Sequence, residues 1–157
     1  MELDRFDRLL LRLVQEDSAQ TADQLAEKVE LSASAIQRRL RKLREQGVIA
    51  REIAVLDPAV VSRPTHFVVG LQVERERPEV LSQLRAWINA HENVQQAFYV
   101  TGESDFVLIV TASDAESYQQ FMALLMRENP NVKRFTTNVV MNMVKRGLSI
   151  PVPLSEE

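Results

Sequence analysis

The chain has 157 residues, of which 45% are hydrophobic, and it carries a formal net charge of −3 with no cysteine. That length suits one medium or two small domains, the absence of thiols excludes disulfides and thiolate metal sites, and no stretch reaches the roughly 18 apolar residues that span a bilayer. The N-terminal residues MELDRFD lack the regions of a signal peptide, so we expect a soluble, cytoplasmic protein without a membrane partner.

Residues 3–15 predict a first helix. Asp4 is a suitable N-cap, and Asp7, three residues later, gives a spacing similar to a capping box. The apolar stripe of this helix consists of Phe6, Leu9, Leu10, Leu13 and Val14.

Residues 21–47 predict two short helices joined by a tight turn, which is the pattern of a helix-turn-helix. Ser32 is a good N-cap for the second helix. Its apolar residues recur at i, i+4 and i+7, so they form one narrow stripe. They are Ile36, Leu40 and Leu43.

The face opposite this stripe is strongly basic. Residues 32–51 hold six Lys or Arg residues against one acid, although the whole chain is acidic. A local basic patch of this kind is typical of a focused contact with DNA phosphates and base edges. An ordinary solvated amphipathic helix is the competing interpretation. The predicted DNA-binding residues are Ser32, Ser34, Gln37, Arg38, Arg41 and Lys42.

Arg39 lies beside the apolar stripe rather than opposite it. We expect it to be partly buried and paired with a carboxylate of another helix, with a phosphate contact left open. Gly47 occupies the position of a helix C-cap, and residues 48–55 follow as an extended segment. Residues 56–64 contain Pro58 and Pro64 and predict a hinge.

The second half of the chain predicts the order β-α-β-β-α-β of a ferredoxin-like domain, so the fold class is α+β. Its strands are residues 65–73, 94–101, 106–112 and 132–144, and its helices begin at Pro78 and after a capping box of Ser113 with Glu116. The predicted domains are a helix-turn-helix domain at 1–55, the hinge at 56–64, and a ferredoxin-like domain at 65–157 for effector binding and oligomerisation.

The last predicted strand alternates two sets of residues. One face carries Phe135, Thr137, Val139, Met141 and Met143, and the other carries Thr136, Asn138, Val140, Asn142 and Val144. Helices cover only one face of a sheet with this topology. The uncovered face and the methionines predict self-association, although plain core packing explains each methionine equally well.

In the order and spacing of its predicted helices and strands, the chain resembles the Lrp/AsnC family of bacterial and archaeal transcription regulators. The matching segments are LDRFDRLLLRLVQ, LAEKVELSASAIQRRLRKLREQGVI, VLDP and VTGESDFVLIV, which together extend over nearly the whole chain. The resemblance implies binding of double-stranded DNA by the first domain and a homodimer formed through the second. It also implies assembly of dimers into an octamer and sensing of a small effector, usually an amino acid.

The effector site that the resemblance implies combines a turn with the last strand. The turn residues are Gly102, Glu103 and Asp105, and the opposing strand residues are Thr136, Thr137 and Asn138. The turn can present backbone N–H groups to a carboxylate and an acid to an ammonium group. A solvated β-turn is the simpler interpretation. Three places depart from the family pattern: Glu30, residues 17–20, and residues 62–64.

Two other classes of function are an enzyme and a regulatory module that acts on protein partners. An enzyme is not expected, because His66 and His91 are the only histidines and no glycine-rich phosphate loop or nucleophile motif is present. The sequence predicts no metal site and no cofactor. The alternative to a DNA-binding regulator is an amino-acid-sensing module that acts on protein partners, with the helical domain as its docking unit.

Overall fold

The computed structural model describes residues 2–74 and 77–154. They form two compact units: a helical unit, made of the residues up to Val55 together with those from Lys145 onward, and a sheet unit, Leu56–Val144. The predicted second domain extends to residue 157, but the tail after Val144 groups with the helical unit. Residues 155–157 lie outside the described part.

Three helices form the helical unit: α1 (Arg5–Glu16), α2 (Ala22–Ala26) and α3 (Ala33–Glu45). Each begins at a capping residue that accepts a hydrogen bond from a backbone N–H of the first turn, which satisfies an otherwise unpaired donor. The Asp7 N–H lies 2.8 Å from Asp4 Oδ1, and the Ala35 N–H lies 3.3 Å from Ser32 Oγ. The predicted caps at Asp4 and Ser32 are therefore confirmed.

A small apolar core holds these helices together. The stripe predicted for the second helix of the pair is buried here, and it packs against residues of α1 and α2. Gly47 adopts a φ of 71°, and the Val48 N–H bonds to Leu43 O at 2.9 Å. Gly47 therefore forms the C-terminal cap of α3. The buried residues are Leu10, Leu11, Leu25, Val29, Ile36, Leu40 and Leu43.

The segment after Gly47 differs from the prediction. Residues 48–55 form no strand, because no neighbouring strand pairs with them within the described chain. The predicted hinge contains a short helix, α4 (Pro58–Val61), which Asp57 caps through the Ala59 N–H at 2.9 Å. Proline is well tolerated in the first turn of a helix, so the residue that we expected to mark a hinge instead begins α4.

The sheet unit has the predicted ferredoxin-like topology. Its elements are β1 (Thr65–Val73), α5 (Pro78–Ala90), β2 (Val94–Tyr99), β3 (Phe106–Ala112), α6 (Ala115–Glu128) and β4 (Val132–Val139). The four strands are antiparallel in the order β2-β3-β1-β4. Both helices pack on one face of the sheet, where Val69, Leu71, Leu108 and Leu125 are fully buried.

Three boundaries of the sheet unit differ from the prediction. The second strand, predicted over residues 94–101, ends at Tyr99. Asp114, not Ser113, caps α6, by accepting the Ser117 N–H at 2.7 Å. The last strand ends at Val139 rather than Val144, because Val139 pairs with Phe67 near the start of β1 and little of that strand remains to pair with later residues. Met141 therefore lies beyond the sheet, with 93% of its surface exposed.

Cross-strand pairing defines the two faces of the sheet. On β1, Phe67, Val69 and Leu71 are buried beneath the helices, and their partners on β4 are Val139, Thr137 and Phe135. The alternate residues form what we call the open face. Its members are His66, Val68, Gly70 and Gln72 of β1, Val107, Ile109 and Thr111 of β3, Gln96 and Phe98 of β2, and Arg134, Thr136 and Asn138 of β4.

Candidate nucleic-acid interface and effector site

The predicted DNA-binding residues all lie on α3 or at its N-cap and are all exposed. The apolar stripe of α3 faces the helical core, so the opposite face is left to solvent. Arg38, Arg41 and Lys42 form no ion pair with any carboxylate of the described residues. Three cations that the protein leaves unpaired on one helix face are free to contact an anionic partner.

Arg39 behaves as we predicted and contacts another helix. Its Nη1 lies 2.7 Å from Asp4 Oδ2 and 2.8 Å from Asp7 Oδ1, and its guanidinium carbon lies 5.6 Å from the Phe6 ring centroid. The two carboxylates of the α1 capping box thus also bind Arg39 and hold α3 against α1. We call the contact of Arg39 with Asp4 and Asp7 the Arg39 clamp.

The contacts of the clamp shift the pKa values of Asp4 and Arg39. Burial opposes the ionisation of Asp4, but the Asp7 N–H and the Arg39 guanidinium together outweigh it, so the pKa of Asp4 lies below its ordinary value of 3.8. Hydrogen bonds to Asp7 and then to Asp4 raise the pKa of Arg39. Asp4 and Arg39 are therefore both charged at neutral pH.

This shift predicts an acid-dependent loss of stability. Because the pKa of Asp4 is lower in the folded than in the unfolded protein, its contribution is present above about pH 3.8 and is lost as the pH falls through the folded value. Asp4→Asn keeps a good N-cap but removes the charge. We expect the difference in unfolding free energy between wild type and Asp4→Asn to shrink towards zero in urea titrations at falling pH. A difference that is independent of pH would contradict this.

A second ion pair joins α3 to the segment that follows it. Arg44 Nη2 lies 2.9 Å from Glu52 Oε1, and Arg44 Nε lies 3.1 Å from Glu52 Oε2. This two-pronged contact accounts for one of the six cations counted between residues 32 and 51. It sets Arg44 apart from the unpaired cations of α3.

The turn predicted to bind an effector connects β2 to β3. The Asp105 N–H bonds to Leu71 O at 2.8 Å, and Asp105 Oδ2 accepts the Val73 N–H at 2.7 Å, so this carboxylate already holds the turn against the end of β1. Gln72 Nε2 donates to the backbone carbonyl of Glu103, and the Glu103 side chain is exposed. Of the two predicted acids, Glu103 is thus the one directed to solvent.

Gly102 has a φ of 123°, a backbone conformation that side chains with a Cβ rarely adopt. No described atom lies within 4 Å of the position that its Cβ would take. The glycine is required here by the backbone angle rather than by a close approach within the chain.

Sequence reasoning missed two residues of this site, Gly70 and Ser104. A Cβ on Gly70 would lie 2.8 Å from Thr136 Oγ1 and 3.3 Å from Ser104 Cβ, so a side chain of the turn and a side chain of β4 both lie close over this glycine. The turn and Thr136 are thereby neighbours on the open face. A glycine within an otherwise apolar strand was the available signal of such a close approach.

The structure separates the three predicted residues of β4. Thr136 and Asn138 pair with Gly70 and Val68 and lie on the open face, where Thr136 is the one next to the turn. Thr137 lies on the helix-covered face, where its hydroxyl is 2.5 Å from the Tyr118 hydroxyl. Because successive residues of a strand point to opposite faces, Thr137 cannot join its neighbours in one site on this sheet.

Known protein families match both halves of the chain. Residues 66–150 match the model of the Lrp/AsnC ligand binding domain, and residues 3–50 match that of a winged helix-turn-helix DNA-binding domain. The chain belongs to the Lrp/AsnC family and is a DNA-binding transcriptional regulator rather than an enzyme.

Individual relatives agree with this assignment. A helix-turn-helix-type transcriptional regulator of Sinorhizobium fredii is 42% identical over 98% of this chain and 91% of its own length. The crystal structure of an AsnC family regulator from Agrobacterium tumefaciens superposes with a TM-score of 0.86 at 29% identity, covering 94% of this chain and 96% of that one. A Neisseria meningitidis transcriptional regulator in complex with L-Met superposes with a TM-score of 0.86 at 25% identity, covering 96% and 97%.

No helix within residues 2–74 and 77–154 is both long enough and apolar enough to cross a membrane. Across those same residues, no three His, Asp or Glu side chains come together as metal ligands would.

Proposed function

We propose that this regulator reads double-stranded DNA with α3 and adjusts its binding when an amino acid occupies the turn between β2 and β3. The observation that carries the first part is the unpaired, exposed set of Arg38, Arg41 and Lys42 on a helix whose other face is buried. A helix of about this length fits the major groove, where Arg and Lys contact guanine edges and phosphates. Ser32, Ser34 and Gln37 complete the contact at the start of the helix.

Binding to selected DNA tests this proposal. Duplexes enriched by the full-length protein from a random pool are titrated by fluorescence anisotropy at several salt concentrations. We expect the logarithm of the binding constant to fall linearly with the logarithm of salt, with a slope of about −0.9 for each phosphate contacted. If no sequence is enriched and binding does not depend on salt, α3 is not a DNA reader.

The effector that we propose is a free amino acid. Exposed backbone N–H groups near Gly102 suit its carboxylate, the Glu103 carboxylate suits its ammonium group, and Thr136 and Asn138 supply hydrogen-bonding groups from β4. The Neisseria regulator in complex with L-Met supports this class of ligand. Asp105 positions the turn, and Thr137 is left out because it faces the helices.

We also propose that the open face joins two copies into a dimer, that dimers assemble further into an octamer, and that the protein acts in the cytoplasm. Val68, Val107, Ile109 and Phe98 give this face an apolar centre, and Phe98 is 49% exposed in the single chain. A dimer presents two α3 helices, so its half-sites should be about one helical turn apart or a multiple of that spacing.

The dimer proposal predicts the effect of a charge on the open face. Ile109→Arg should convert the full-length protein to a monomer in light scattering, because an unpaired cation would be buried between the two sheets. Gln120→Arg is the control, because it places the same charge on the exposed side of α6, on the other side of the sheet, and it should remain dimeric. A wild-type monomer at tens of micromolar, or an Ile109→Arg dimer, would contradict the proposal.

A further inference from the structure

The tail after Val144, which belongs to the helical unit, forms a series of contacts with α1. Gln15 Nε2 donates to Ile150 O at 3.1 Å, and the Ile150 N–H donates to Gln15 Oε1 at 2.8 Å. One side-chain amide thus satisfies both backbone groups of a residue 135 positions away, as a paired strand would.

Two further contacts continue along the same helix towards its start. The Val152 side chain packs against the core of the helical unit, and Arg8 Nη1 donates to Pro153 O at 3.3 Å. Leu154 then lines a shallow depression with Leu3, Asp4, Arg5 and Arg8. Residues 150–154 therefore run antiparallel to α1 over most of its length.

The composition of this segment favours such docking. Pro151 and Pro153 fix their own φ angles and restrict the residues before them to extended conformations. An extended segment that is already restricted loses less entropy when it docks than a flexible one does. We call residues 145–154 the strap. Its restricted, extended conformation suits docking along a helix better than separate folding.

We propose that the strap is a positioning element for DNA binding, an inference that rests on the proposed function of α3. The strap braces α1 at Arg8 and Gln15, and α1 holds α3 through the Arg39 clamp. Since Lys145 follows β4 after only a short connection, the strand that carries Thr136 and Asn138 continues directly into the strap, which contacts the helix that orients the reader. The chain therefore ties the helical unit to the sheet unit at both of its ends, at Val55 and at Lys145.

The test uses two substitutions in the full-length protein that release the strap by different means. Gln15→Ala removes both amide hydrogen bonds, and Val152→Asn replaces the packed side chain with a polar one. Glu16→Ala is the control on α1, because Glu16 is exposed and forms no hydrogen bond or ion pair with the described residues of the strap. Val152→Ile should behave as wild type, since it keeps an apolar contact.

We expect hydrogen exchange at the Ile150 amide to become about tenfold faster in both release variants. Affinity for the selected duplex should fall about threefold to tenfold with an unchanged salt slope, because a supporting contact rather than a phosphate contact is lost. Wild-type exchange or wild-type affinity in both variants would overturn the proposal, and so would a reduced salt slope. If the wild type binds no duplex, the DNA-reading function fails, and with it the positioning role; the exchange data then report on strap docking alone.

Discussion

Replacing Arg38 and Arg41 together by alanine is expected to weaken binding to the selected duplex by about a hundredfold, with the stability of both units unchanged. Each side chain is exposed and unpaired among the described residues, so its removal costs the fold nothing. A base contact by arginine contributes about 1–3 kcal/mol and a phosphate contact less, so two such losses give an effect of this size. Anisotropy titrations at several salt concentrations measure both the affinity and the slope.

The salt slope separates the two roles of arginine. A phosphate contact that is lost should reduce the slope by about one unit and weaken all sequences alike, whereas a lost base contact should relax the sequence preference. Arg85→Ala with Arg127→Ala is the charge-matched control, since both arginines belong to the sheet unit. If the control loses as much affinity as the α3 variant, net charge rather than α3 governs binding. If the α3 variant binds as wild type, the reader helix is misassigned.

Local patterns were sufficient to predict most of the elements. The bounds of β1 and β3 were predicted correctly, because their apolar residues alternate or run together and turn residues flank them. The caps of α1 and α3 were also predictable, since a capping residue acts on backbone groups only three positions away. The Arg39 clamp was anticipated from the place of that residue beside the apolar stripe.

Features that depend on a distant partner were not predictable in the same way. The alternation of β4 continues to residue 144 in the sequence, but the strand ends where β1 ceases to offer partners. The close approach of Ser104 and of Thr136 to Gly70 brings together three segments that no local pattern relates. The strap likewise contacts a helix 135 positions away, so its two prolines indicate an extended segment but not the place where it docks.

The division of β4 between two faces leads to the sharpest test of the effector site. Thr136→Val and Thr137→Val are the same chemical change at adjacent positions, and each removes one hydroxyl while keeping the shape of the side chain. Thr137 bonds to Tyr118, whose pKa is raised by burial against the lowering effect of that hydroxyl. We therefore expect Thr137→Val to lower the unfolding free energy by about 1 kcal/mol and to leave effector binding unchanged.

Thr136→Val should have the opposite profile, with near wild-type stability and an affinity for the amino acid that is about tenfold weaker, as expected for one lost hydrogen bond to a charged group. The ligand is the amino acid that most raises the melting temperature of the wild type, with L-methionine tested first, and calorimetric titration measures the affinity. Gly102→Leu should abolish binding by straining the turn, whereas Gly47→Leu places the same substitution at another positive φ in the helical unit and should not. Equal losses of affinity in the two threonine variants, or unchanged affinity in Gly102→Leu, would place the effector elsewhere on the protein.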